Sequence, residues 1–279
     1  MRLITLVTLL TLLIGCINLK HVHDFSSNSL TATRKFEEIH YGFALHCIDR
    51  CRIAAIDSFR IYREIGCPCD PYKRADSVTL LLYRAVSGYF DGLTRLSRNE
   101  LTNYRIDRLK NAVQEENLGP FQVKKEEADA YATLTDMLLR GFADSYRQKK
   151  IKEYIGSANA PLQLLLAKLE FIESKNLEDL LVFKKEQLFD HYRVLLKSRL
   201  SDYEKQKATT DYYGSLQAIL TLEKQVSTFA RSLKAVARGH QLLYDNRTQI
   251  SAEELRRTLT PYANDIRDLI SEFEKLKDK

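Results

Sequence analysis

The chain has 279 residues, with 43 Lys and Arg against 37 Asp and Glu for a formal net charge of +6. At 44% hydrophobic and 29% charged residues, with ten Gly, five Pro and no Trp, the composition excludes a disordered or β-rich chain and reads as a helix-rich globular one. Its cations are interspersed with acids along nearly the whole length, which excludes the concentrated basic stripe of a nucleic-acid binder.

The first element is an uncharged run. Leu3 to Ile14 holds twelve residues without a charge after Arg2. That is too short for the roughly 20 apolar residues that span a bilayer, and it fits the core of a signal peptide. It ends Leu13-Ile14-Gly15-Cys16. Over residues 1–16 this resembles the lipobox signal of bacterial lipoproteins. The resemblance implies removal of residues 1–15, a diacylglycerol on the Cys16 thiol and an N-acyl lipid, such as palmitate, on the new amine. Two or three acyl chains, at about 0.8 kcal/mol per buried CH₂, hold a protein durably where one is marginal. An exported, membrane-anchored protein is therefore expected. Ile17, standing where Asp marks inner-membrane retention in enterobacterial lipoproteins, favours the outer membrane facing the periplasm, with another cell surface as the alternative.

Residues 16–35 are polar, rich in Ser and Thr and without sustained periodicity, so they are expected to form a flexible tether. Residues 36–119 form a cysteine-bearing helical N-terminal part. Within it, Leu82, Val86, Tyr89, Leu93 and Leu96 predict an amphipathic helix from Ala75 to Ser97, preceded by a turn at Gly66, Pro68 and Pro71. A shorter helix over Glu100 to Asn117 is stopped by Gly119-Pro120, a soft boundary. Residues 120–279 form a long-helix bundle. Three helices are predicted there, over Lys124–Ile155, Pro161–Lys205 and Thr210–Asn246. Gly156 closes the first, Asn159-Ala160-Pro161 opens the second, and Ser174-Lys175-Asn176 marks an irregularity in it. A last helix starts at the Ser251-Ala252-Glu253-Glu254 capping box, with Pro261 kinking or restarting it. About forty helical residues measure about 60 Å, so the expected fold is all-α, an elongated antiparallel bundle of long, coiled-coil-like helices.

Cys47, Cys51, Cys67 and Cys69 fall within 23 residues. An even cysteine number in an exported chain implies disulfides. On one continuous helix Cys51 and Cys67 would stand about 24 Å apart, whereas bridged Cα atoms lie within about 7 Å. The favoured solution is a chain that turns back, with a helix starting only near Ile53 and the Cys47 segment beside the Cys67-Pro68-Cys69 loop. Strained close pairs, or a zinc or copper site made by Cys47, Cys51, Cys67, Cys69 and His46 with other histidines nearby, are the alternatives.

Other signals are weaker. Glu37 and His40 supply a single E-x-x-H with no second copy, so they read as solvated residues. His191 and His240 read as packing residues on long helices. Arg147, Lys149, Lys150 and Lys152 form a basic cluster near a predicted helix end, either contacting an anionic surface or complementing the helix macrodipole. No nucleophile, phosphate-loop or dinucleotide motif is present, and neither an enzyme nor a cofactor is expected. The expected function is a lipid-anchored cell-envelope protein with a structural or partner-binding role, its partners being the membrane and an envelope protein rather than nucleic acid. A cysteine-centred metal-binding or redox lipoprotein, and an amphipathic-helix lipid-binding protein, are the alternatives.

Overall fold

A computed structural model describes residues 19–61, 66–98, 122–140 and 147–277. Eight α-helices build the described part: α1 Lys20–Arg34, α2 Phe43–Asp57, α3 Asp70–Ser97, α4 Lys125–Arg140, α5 Arg147–Phe171, α6 Glu178–Leu195, α7 Asp202–Asp245 and α8 Glu253–Lys275. No strand occurs among the described residues. The fold is the expected all-α bundle.

Its order follows from a few side-chain pairs. Phe25 meets Phe90 edge-on and Phe36 stacks on Tyr83, so α1 runs antiparallel to α3. Tyr89 stacks on Tyr154 and Tyr83 donates to Glu173, so α3 runs antiparallel to α5. Asn28 donates to the Ala263 carbonyl, and Lys35 pairs with Glu274, so α8 runs parallel to α1. These contacts define two ends. At the basal end lie Leu19, the His21 donor on the Ile250 carbonyl, His23 beside Ser97, and Lys152 on the Thr248 carbonyl. At the distal end Asp57 meets His191, and Tyr192 meets Tyr212. Helix α7, with 44 residues, spans about 66 Å between them.

The segment expected as a tether is α1, and it is buried. Val22, Phe25, Leu30 and Ala32 lie in the core together with Ser26, Ser29 and Thr33. The hydroxyls are accommodated because the helix itself satisfies them: Ser29 donates to the Phe25 carbonyl at 2.8 Å and Thr33 to the Ser29 carbonyl at 3.0 Å. Thr94 and Ser87 of α3 donate to Ser26 and Thr33 in turn. Small hydroxyl residues, like small apolar ones, let helices approach closely. One tight approach lies at Gly239 of α7, where an added Cβ would run into the Phe25 ring.

Other boundaries differ from the sequence reading for local reasons. Helix α5 runs through Gly156 and Pro161 without ending, since Leu162, Leu165, Leu166 and Leu169 are all buried in the core. That burial outweighs the roughly 3 kcal/mol an interior proline costs. The expected single helix over Lys124–Ile155 is two elements, α4 ending at Arg140 and α5 starting at Arg147. The expected helix to Lys205 ends at Leu195, because Ser201 and Glu204 form a capping box that starts α7 eight residues earlier than Thr210. Helix α8 starts after Ala252 and carries Pro261 in its interior. The predicted helix over 100–117 and the Gly119-Pro120 boundary lie outside the described residues. Helices from both sides of that boundary share one hydrophobic core.

The irregularity at 174–176 is a π-helical turn, Ile172–Leu177. It carries Glu173, fully buried, accepting from the Tyr83 hydroxyl at 3.0 Å. Burial lifts its carboxyl to about 8, with Glu178 nearby adding to the rise. Neither Glu173 Oε2 nor Asn176 Oδ1 has a hydrogen-bond partner among the described residues. His240 is equally buried but satisfied: it donates from Nδ1 to Asn159 Oδ1 and accepts at Nε2 from Tyr89, and burial lowers it to about 3.

Two measurements check this account. Gly239→Ala drives a Cβ into Phe25 and is expected to cost about 1–3 kcal/mol in urea denaturation. Glu173 keeps its proton in the folded chain up to about pH 8, whereas an unperturbed Glu loses it near 4.5. The native state therefore binds the extra proton in that window, and its stability falls as pH rises through it. Glu173→Gln, neutral at every pH, is expected to gain at least about 2 kcal/mol relative to the parent between about pH 5 and pH 8.

Candidate functional site

The distal end is built on the four cysteines. Gly42 precedes α2 in extended conformation, and the Asp76 carboxylate of α3 accepts from the Phe43 and Ala44 N–H groups, each at 2.9 Å. Asp76 thus caps α2 from a neighbouring helix. A Cβ at Gly42 would stand 2.7 Å from its Oδ1. Capping places Cys47 and Cys51, one turn apart on α2, against the returning chain. Cys47 bridges Cys69 and Cys51 bridges Cys67, with Cα separations of 5.8 and 6.0 Å. The chain does turn back, but the helix starts at Phe43 rather than near Ile53, so both cysteines are helical.

With every one of these sulfurs in a disulfide, no thiolate remains here for zinc or copper. His46 is buried; its Nδ1 shares a hydrogen bond with the Tyr41 hydroxyl at 3.0 Å, and burial lowers its pKa. No group of three or more His, Cys, Asp and Glu that could hold a metal ion occurs among the described residues.

The clamped hairpin lies alongside α6, parallel to it. Lys184 pairs with Asp49 at 2.6 Å, Phe183 packs on His46 and lies under Arg50, and His191 Nδ1 meets Asp57 at 2.6 Å. Between the helices runs a groove of about 580 Å³. Ile53, Ile56 and Phe59 line one side, and Val194 and Leu195 the other, with Asp57, Asp190 and His191 among its polar groups. Phe59 has φ of 52°, a left-handed conformation unusual for a bulky residue. Ile56 is 57% exposed, Phe59 91%, Ile61 100% and Val194 65%. Ten of the twelve exposed large hydrophobic residues among those described fall within 45–61 or 182–213. Scattered exposed apolar residues are ordinary, whereas this concentration makes the distal end the candidate site.

Sequence reading found the covalent frame of this site but missed its apolar wall. The available signals were the run Ser58-Phe59-Arg60-Ile61 just after a helix, and Val194-Leu195-Leu196 just before the Ser201 cap. Apolar residues where the chain reverses have no core face to turn to.

The basic cluster lies elsewhere. The described part of α5 starts at Arg147, so the cluster lies toward the N-terminal side of that helix and not at the C-terminal end, where cations would complement the macrodipole. Lys149 lies 3.9 Å from Glu153 and Lys152 donates to the Thr248 carbonyl at 2.8 Å. This is the basal end, beside the start of α1. Comparison with protein-family models, curated proteins and solved structures finds no match.

Replacing Cys51 and Cys67 by Ser opens a closed loop spanning 16 residues of sequence separation, a constraint worth about 3 kcal/mol. Limited trypsin digestion of the double variant is expected to cut first at Arg52 or Arg60, leaving the rest of the bundle intact. Uniform digestion would mean that the clamp supports the whole fold.

Proposed function

We propose that this chain is an exported, lipid-anchored protein of the bacterial envelope whose bundle carries a docking surface at the end remote from its anchor. What carries this reading is the opposition of the two ends. Leu19 is buried at the basal end, and Cys16 is only three residues upstream, at most about 11 Å of extended chain. The apolar groove opens at the other end, separated from the first by the length of α7.

On this reading acylation of Cys16 seats the base of the bundle directly on the bilayer. Lys149, Lys150 and Lys152 lie at that same end and favour anionic headgroups, supplying the second signal that stable anchoring benefits from. Ile17 directs the protein to the outer membrane, facing the periplasm. The work is binding by a preformed surface, and the disulfides suit an oxidising compartment.

Labelled palmitate, followed into the full-length chain expressed in a bacterium with two membranes, tests the anchor. The wild type is expected to carry label and to partition into detergent, and Cys16→Ser to lose both. An unlabelled wild type found in the soluble fraction would overturn the reading.

A further inference from the structure

We infer that a cavity beside the α2 N-terminus binds a small organic cation, a primary ammonium carried on an apolar body. The site is separate from the distal groove and does not rest on the docking reading.

The cavity measures about 350 Å³, toward the small end of the roughly 300–1,000 Å³ of ligand sites. It lies where the connection from α1 to α2, the first half of α3 and the π-helical turn meet. Phe36, Ile39, Phe43, Leu80, Ile172 and Leu177 form its apolar wall. Phe36 is held by stacking on Tyr83, with ring centroids 3.9 Å apart, and Phe43 and Ile172 are buried in the core. The wall is therefore formed before any ligand arrives.

The polar lining decides the class of ligand. Glu37 and Asp76 are its charged groups, and no Lys, Arg or His is among the residues that line it. Glu37 is exposed and makes no ion pair among the described residues. Asp76 is half-buried; burial raises its carboxyl, the Ala44 and Phe43 N–H groups oppose that rise, and no charged side chain acts on it. Cations close by are engaged elsewhere. Lys184 lies over the Tyr41 ring but pairs with Asp49, and Lys35, next to Phe36 in sequence, pairs with Glu38 and Glu274. The α2 N-terminus, worth about half a positive charge, offsets part of Asp76 and leaves the lining negative.

Side-chain donors are spent as well. Ser77 gives its hydroxyl hydrogen to the Lys73 carbonyl and Thr79 to the Ala75 carbonyl, each at 2.9 Å. The Tyr41 hydroxyl is engaged with His46 Nδ1, and the N–H groups of Phe43 and Ala44 with Asp76. An anion entering here would lose its hydration and meet neither a cation nor an unused side-chain hydrogen. An ammonium meets carboxylate oxygens and hydroxyl lone pairs, with aromatic rings beside them. Its apolar part is covered by the wall.

Phenethylammonium is the probe, with phenethyl alcohol as its neutral counterpart and hydrocinnamate as its anionic one. The sequence contains two Tyr-Gly steps, Tyr41-Gly42 and Tyr213-Gly214. The full-length chain labelled with ¹³C at tyrosine carbonyls and ¹⁵N at glycine therefore gives, in a carbonyl-filtered amide spectrum, one signal from the cavity lining and one from α7. Gly214→Ala, where an added Cβ meets nothing within 4 Å, assigns the pair. Phenethylammonium is expected to move the Gly42 signal to saturation, to leave Gly214 in place, and to bind at least about ten-fold more tightly than the alcohol. Hydrocinnamate is expected to move neither signal. Glu37→Gln is expected to weaken binding about two- to five-fold, and Asp76→Asn by at least about five-fold. Because Asp76 also caps α2, circular dichroism checks that variant, and Glu37→Gln, away from the cap, carries the test if it unfolds.

A Gly42 signal that stays in place at millimolar phenethylammonium would overturn the inference. Equal affinity for the alcohol overturns it too, since the cavity would then be apolar without selecting charge. Undiminished binding by Glu37→Gln has the same consequence.

Discussion

The contact between Phe25 and the bare backbone at Gly239 governs the arrangement of this molecule. Because α7 lacks a side chain at that position, α1 sits close enough to bury a face of mixed apolar and hydroxyl residues against α3, α7 and α8. An α1 held even slightly further out would strand Ser26, Ser29 and Thr33 beside a gap and lose their packing. The seating of α1 also decides where the chain enters. Leu19 is at the base, so α1 starts from that end and not from the side of the bundle.

The two halves of the molecule are stabilised in different ways. The basal half is held by a shared core of stacked aromatic rings and leucines, in which even a histidine, His240, is buried and fully hydrogen-bonded. The distal half has fewer helices to share its apolar residues. There α2 is fixed by a carboxylate cap from Asp76, two nested disulfides and ion pairs to α6. Covalent bonds hold the fold where burial is scarce, which leaves apolar side chains free to face outward. The conformational cost of holding those side chains outward is met during folding.

The π-helical turn lies where these halves meet. It joins α5, packed in the core, to α6, which carries one wall of the groove. Such turns often occur at functional positions, and this one places a carboxyl in a fully buried setting, where it keeps its proton near neutral pH. The proton lets Tyr83 and Glu173 share the interior without a buried charge. The consequence is a dependence of stability on alkalinity at the junction between the core and the disulfide-clamped end.

Helicity was legible from the spacing of Leu and aromatic residues alone, as were the irregularity at 174–176 and the need for a chain reversal between Cys51 and Cys67. Those features follow from local periodicity and from the reach of a disulfide, which any three-dimensional arrangement must respect. The burial of α1 was not legible, because hydroxyl residues that satisfy themselves on their own helix look the same in sequence as residues awaiting water. Nor were the continuations through Gly156 and Pro161, where four buried leucines override a local breaker. The Ser201 capping box was present to be read, but the long apolar pattern around it masked the break. By itself, the sequence determined helix content, cysteine spacing and the charge of each segment. Which residues face one another, which end receives the chain and where an apolar surface is left uncovered were decided only by tertiary packing, since burial is a property of neighbours that lie far apart along the chain.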